Sequence, residues 1–189
     1  MVFMTMLVDA VTDEREALLA FLASQRKALV QAALGLTEEQ ASSAPSASAL
    51  SVAGLIKHAA SCEQNWITGI LLQQPDRAGA DKEAWADKFR LTGDETLAGV
   101  IRHFEEVAAE TERVVRELPD LDVTVPLPDA PWFPAGSKRS ARWILLHLIQ
   151  EEARHAGHAD IVRETVDGAD SLTLAQRAAE RETAERTAG

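Results

Sequence analysis

The stretch SARWILLHLIQEEARHAGHADIVRETVD, residues 140–167, contains no proline, and its apolar residues recur at helical spacing. Ile144, Leu148, Glu151, His155, His158 and Val162 are separated by 4, 3, 4, 3 and 4 residues, which is one continuous inward-facing seam. A helix of this length with one such seam has to pack against other helices. Yet three successive seam positions are Glu, His and His. Burying them in an apolar interior costs several kcal/mol unless something satisfies them. A divalent metal does so, because neutral imidazoles and a carboxylate at i, i+3 and i+4 converge on one ion. A hydrogen-bonded polar seam, or a seam end that reaches water, is the alternative reading.

The rest of the chain supplies the partners. A helix is expected over 12–34, with Asp and Glu in its first turn, Gly35 past its end, and a stripe of Leu18, Phe21, Leu22 and Leu29. One short turn capped by Thr37 follows, then a Ser/Pro-rich linker. A second long helix is expected over 51–73, entered through Ser51 and stopped by Pro75, and a third over 94–118, capped by Asp94. Residues 75–92 read as irregular, with one short helix around Glu83–Phe89. Between helices three and four, residues 119–139 hold five of the seven prolines. That loop is long for a compact domain, with an extended pair around Val123–Leu127 as its one regular feature. The fourth helix is expected to end at Gly168. The expectation is an all-α four-helix bundle over 1–168, with 169–189 as a peripheral tail.

Composition removes several function classes. With 189 residues, 46% of them hydrophobic, the chain can bury one sizeable core. No apolar run approaches a bilayer span, and Asp9 interrupts the opening segment before it could serve as a signal peptide. The net charge of −11 argues against a nucleic-acid surface. A single cysteine, Cys62, permits no internal disulfide and fits a cytoplasmic location.

A metal site on the fourth helix needs a ligand from elsewhere. His58, on the stripe of the second helix, is the candidate, against the reading of a satisfied core histidine. Cys62, one turn on, is either a softer ligand or a packed core thiol. His103 reads as a surface residue, and His147, one turn before Glu151, as a residue that orients a ligand. Glu152 and His155 form the Glu-x-x-His element of di-iron bundles, but no second such element exists, so a di-iron centre is not expected.

The stretches TDEREALLAFLASQRKAL, ALSVAGLIKHAASCEQNW and SARWILLHLIQEEARHAGHADIVRETVDG together resemble the DinB-like (YfiT-like) metalloenzyme superfamily. Within it they are most similar to an actinobacterial-type subfamily related to mycothiol-dependent maleylpyruvate isomerase. The resemblance covers most of residues 12–168. It implies one divalent metal, zinc or nickel, and a low-molecular-weight thiol such as mycothiol. By position it implies His58 and His155 as ligands. The third ligand falls on Glu151 by the isomerase pattern, whereas the His-x-x-x-His pattern places Ala159 where a histidine would stand. His158 is one residue off that spacing but lies on the same face.

The resulting expectation is a metal-dependent, thiol-using S-transferase or isomerase acting on a small electrophile, with His58, Glu151, His155 and His158 around the metal and Glu152 as the catalytic base. Trp132 and Phe133 are expected to line a lid formed by the proline-rich loop. Trp66 and Trp143 are expected in the core. Arg154 and Arg163 are read either as binders of a substrate carboxylate or as exposed helix arginines. A hydrolase working through activated water, or a non-catalytic metal- or small-molecule-binding protein, is the alternative. The expected partner is a small molecule, with neither nucleic acid nor membrane, and homodimerisation through an exposed helix face.

Overall fold

The computed structural model describes residues 7–75, 85–131 and 133–188. Its first helix, α1 (Glu14–Ala32), opens where the Asp13 carboxylate accepts from the Glu16 N–H at 3.0 Å, with Glu14 and Glu16 favourably placed at the positive end of the helix dipole. Its buried row is Leu19, Leu22, Arg26, Leu29 and Ala32. Of the expected stripe, Leu22 and Leu29 are buried and Leu18 packs against the core, but Phe21 is 49% exposed. The cause is the partner: α1 packs chiefly against the last long helix of the bundle, and the row on that side is the one buried.

Thr37 caps α2 (Glu38–Ser42) through a reciprocal capping box with Gln40. Ser51 then caps α3 (Val52–Gln64), which continues without a break into a π-helix over Asn65–Leu71. Sequence spacing foresees the length of this segment but not the widened turn, which re-phases Trp66, Ile67, Ile70 and Leu71 into the core. A short 3₁₀ turn spans Trp85–Phe89.

The next long helix, α4 (Leu97–Glu117), is capped by Thr96 rather than Asp94: the Thr96 hydroxyl accepts from the Gly99 N–H at 3.1 Å. Val100, Phe104, Val107, Thr111 and Val114 form its regular buried row. The proline-rich segment is less irregular than expected. Its ends pair as antiparallel strands, β1 (Thr124–Pro126) against β2 (Lys138–Ser140), with Val125 opposite Arg139. Ser140 both ends β2 and caps α5 (Ala141–Asp167), accepting from Trp143 N–H at 3.2 Å. Gly168, with φ 76°, terminates α5 in the left-handed conformation that glycine adopts without strain.

Beyond it lies α6 (Ser171–Ala188), which packs on α1 through Leu174, 1% exposed. Arg163 is turned inward. It is 2% exposed and donates to Ala32 O (2.8 Å), Leu34 O (2.9 Å) and the Asp167 carboxylate, satisfying carbonyls that the end of α1 leaves open. Reading it as an exposed arginine fails for that reason.

The architecture is an all-α bundle of the expected kind, with two apolar clusters along its length. One gathers Leu22, Trp66, Ile144 and Leu148. The other gathers Leu29, Leu55, Phe104 and Val162. Between them lie Arg26, Glu63, Thr111 and Glu152, one from each of the four long helices, none more than 6% exposed. Among the described residues no helix is long and apolar enough to cross a membrane.

Candidate metal centre

His58 of α3 and Glu151 and His155 of α5 converge, their potential ligand atoms all lying within 4.8 Å of one another. The spacing on α5 brings Glu151 Oε2 to 3.7 Å from His155 Nε2. The two imidazole rings meet edge to face, centroids 4.7 Å apart. Rows at i, i+4 spacing run past each other in opposite senses: His58 lies against His155 at one end, and Trp66 against His147, at 4.7 Å, at the other. Phe89 closes one side, stacked on His58 with centroids 4.0 Å apart and 18° between planes.

The electrostatics favour neutral rings. Burial, reinforced by His155 and Lys88, holds His58 down at about 4. Burial also lowers His155, against the pull of Glu151 and with help from His158 and Arg154. Both imidazoles therefore present lone pairs at neutral pH, the state in which imidazole binds metal. Two neutral imidazoles and one carboxylate make a borderline donor set that fits a divalent transition ion. The Glu151 side chain is 25% exposed, so the group is open on one side rather than sealed as a structural site would be.

The other expected site residues are placed as follows. His158 lies outside the three-residue group, its Nδ1 3.4 Å from His155 Nδ1, on the nitrogen opposite the one that faces Glu151. Glu152 is 2% exposed and turned to the interior beside Glu63, and among the described residues neither carboxyl oxygen accepts from an N–H or hydroxyl donor. Burial first, then the Glu63 charge and a carboxyl–carboxyl contact with Glu63 that favours the protonated form, raises it well above the usual carboxylate range. Glu63 itself is held by Arg26, through Nη2 at 2.5 Å and Nε at 3.0 Å. Cys62 is partly buried between the two levels, and burial with the surrounding glutamates pushes its thiol up to about 12. Such a thiol is inert by itself.

His147 stacks on Trp143 at 5.0 Å, one turn from Glu151. Trp66 is core as expected, but Trp143 is 38% exposed, with the Arg139 guanidinium 4.8 Å from its ring centroid. Phe133 is partly buried and 6.4 Å from Trp66. Trp132 lies outside the described residues. Arg154 is exposed on α5, and His103 is exposed near Glu106. Sequence reasoning missed Phe89 and the Arg26–Glu63–Glu152 layer. Charged residues standing in otherwise apolar rows, at 26 and 63, were the signal for the layer.

A sequence model described as mycothiol S-transferase matches residues 17–168. Among solved structures, the conserved protein of locus from Enterococcus faecalis superposes with a TM-score of 0.64, at 16% identity, over 84% of this chain and 100% of that one. At that identity the likeness shows the fold alone. No curated protein matches the chain. The family match runs from within α1 to the end of α5 and so includes His58, Glu151 and His155. This chain belongs to the mycothiol S-transferase family.

Proposed function

We propose that this protein is a metal-dependent S-transferase that joins a low-molecular-weight thiol of the mycothiol type to a small electrophile. One observation carries the reading: His58, Glu151 and His155 converge from two helices into one open, three-ligand group in a chain of this family. A divalent ion held there would supply the positive charge that keeps a sulfhydryl ionised as the nucleophilic thiolate.

The chain's own contributions follow from placement. His58 and His155 stay neutral because they are buried, so no proton has to leave before they bind. Glu151 adds one negative charge on the exposed side. His158, against the far nitrogen of His155, sets which nitrogen carries the proton. Glu152 faces the interior, so we assign it to holding α5 in place rather than to contact with substrate. Trp132, in the proline-rich segment, and Arg154, next to His155 in the chain, remain the proposed contacts for the electrophile.

The test is metal content of untagged protein beside a His155→Ala variant, followed by mycothiol conjugation to a chlorodinitrobenzene. The expected result is about one bound divalent ion, lost in the variant, and conjugation above the uncatalysed rate that a chelator abolishes. Protein that takes up no zinc, nickel or manganese would overturn the reading. Turnover of an ester without any thiol would replace it with metal-activated water chemistry.

A further inference from the structure

Three contacts converge on one face of α3. At Gly54, an added Cβ would overlap the Phe89 carbonyl, so only glycine lets the backbone at the end of the 3₁₀ turn approach this closely. One turn on, Lys57 is 7% exposed, and its ammonium donates to Glu95 Oε2 at 2.9 Å and to Arg90 O at 3.4 Å. Glu95 in turn accepts from the Thr92 N–H at 2.7 Å. Between these two ties stands Phe89, stacked at 4.0 Å on His58 and reaching to 5.9 Å from the His155 ring. Positions 54, 57 and 58 are spaced i, i+3 and i+4, so all three face the same way.

Bulk alone does not account for this arrangement. Packing Phe89 against an apolar surface would not require a buried lysine, whose desolvation costs several kcal/mol unless repaid by its acceptors. Nor would it require a glycine in the first turn of α3, where alanine is the better helix former. Both costs fall at the segment that sets the plane of one imidazole.

We propose that Phe89 is a positioning residue: clamped by Gly54 and Lys57, it fixes the ring plane of His58 so that its nitrogen faces Glu151 and His155. The inference rests on reading His58 as a ligand, but the orientation itself is a property of the metal-free protein. Without the Phe89 ring, the imidazole turns about its side-chain bonds, and the three donors no longer share one focus. A ligand that must be ordered on binding binds more weakly, because that entropy loss is then charged to the binding step.

The experiment compares wild type with Phe89→Ala, Phe89→Tyr and Gly54→Ala in the full chain. In metal-free protein, the His58 ring protons should show upfield ring-current shifts and one orientation. Phe89→Ala and Gly54→Ala should lose both features, and Phe89→Tyr should keep them. Zinc affinity, read by chelator competition, should fall about tenfold or more in Phe89→Ala and recover in Phe89→Tyr. The cobalt(II) absorption spectrum should change in Phe89→Ala, a signature that mere loss of packing would not alter.

Unchanged His58 resonances in metal-free Phe89→Ala would overturn the proposal. So would wild-type zinc affinity and cobalt spectrum in a folded Phe89→Ala. Wild-type protein that binds no metal, yet shows the stacked His58 resonance lost in Phe89→Ala, would uphold the clamp and remove the metal reading instead.

Discussion

Glu151 and Glu152 are neighbours in the chain, yet they live in opposite surroundings. Glu151 keeps a quarter of its side chain in solvent, 3.7 Å from an imidazole nitrogen. Glu152 is 2% exposed, lies beside a second buried carboxylate and, among the described residues, accepts from no N–H or hydroxyl donor. A helix turns about 100° per residue, and that rotation is enough to carry one carboxylate into a ligand group and the next into the bundle's central polar layer. The lesson concerns the division of labour. The ligand level is neutral imidazole plus one accessible charge. The layer beneath it keeps a buried guanidinium and two carboxyl groups, one of them pushed by burial towards its protonated form. In the function proposed above, one level would bind the metal and the other would hold four helices in register.

The sharpest way to break the comparison is to remove the cation from the inner layer. Arg26→Met leaves Glu63, fully buried, without its bidentate partner. Breaking a buried pair from one side costs about 3–5 kcal/mol. Chemical denaturation should show a loss of that size, with metal affinity little changed in whatever fraction stays folded. The outer level should respond the other way. Glu151→Gln removes the one charged donor but leaves a side chain of the same shape. Metal affinity should fall about 10–100-fold by chelator competition, while the denaturation midpoint moves little. Equal stability losses in the two variants would end the idea that the levels have separate jobs.

The outer level was more legible in the sequence than the inner one. A seam at 4, 3, 4 spacing announces which side chains share a face, and Glu151 and His155 stand out because they break an apolar row. His58 needed a partner helix to make sense, yet its row on α3 was visible for the same reason. Phe89 was not legible, because its role depends on a non-local approach to Gly54 that no spacing within one helix encodes. Arg26 and Glu63 sit 37 positions apart, so nothing local in either stretch says that they pair. Phe21 alone was misplaced in the stripe assigned to α1, because only the identity of the partner, α5, decides where the edge of the buried row falls. Arg163 misled for a related reason. Arginines on helices are usually exposed, and the open carbonyls at the end of α1 that draw this one inward belong to a distant segment.

Acid sharpens the comparison from the side of the histidines. His58 sits at about 4 in the folded protein, against an ordinary value of 6.5 that the unfolded chain recovers. Between those values the unfolded state takes up a proton that the folded state refuses. Metal-free protein therefore loses stability as pH falls from about 6.5 to about 4, with no further loss from this group below that. The unfolding temperature should fall by a few degrees across the window. His58→Gln should show a shallower fall, and an identical slope in the two proteins would mean that His58 is solvated after all.

His158 carries the smallest expected effect, and it separates a ligand from a residue that supports one. Its ring nitrogen is 3.4 Å from His155 Nδ1, a contact that is a hydrogen bond only when one of the two nitrogens carries the proton. With His155 Nδ1 as the donor to His158, Nε2 of His155, on the side of Glu151, keeps its lone pair for a metal. His158→Ala should thus loosen the choice of tautomer without removing a donor. The expected cost is about tenfold or less in zinc affinity, smaller than for Glu151→Gln, and the cobalt(II) spectrum should keep its wild-type shape. A loss as large as that of His155→Ala, with a changed spectrum, would instead make His158 a ligand and move the centre of the site one step along α5.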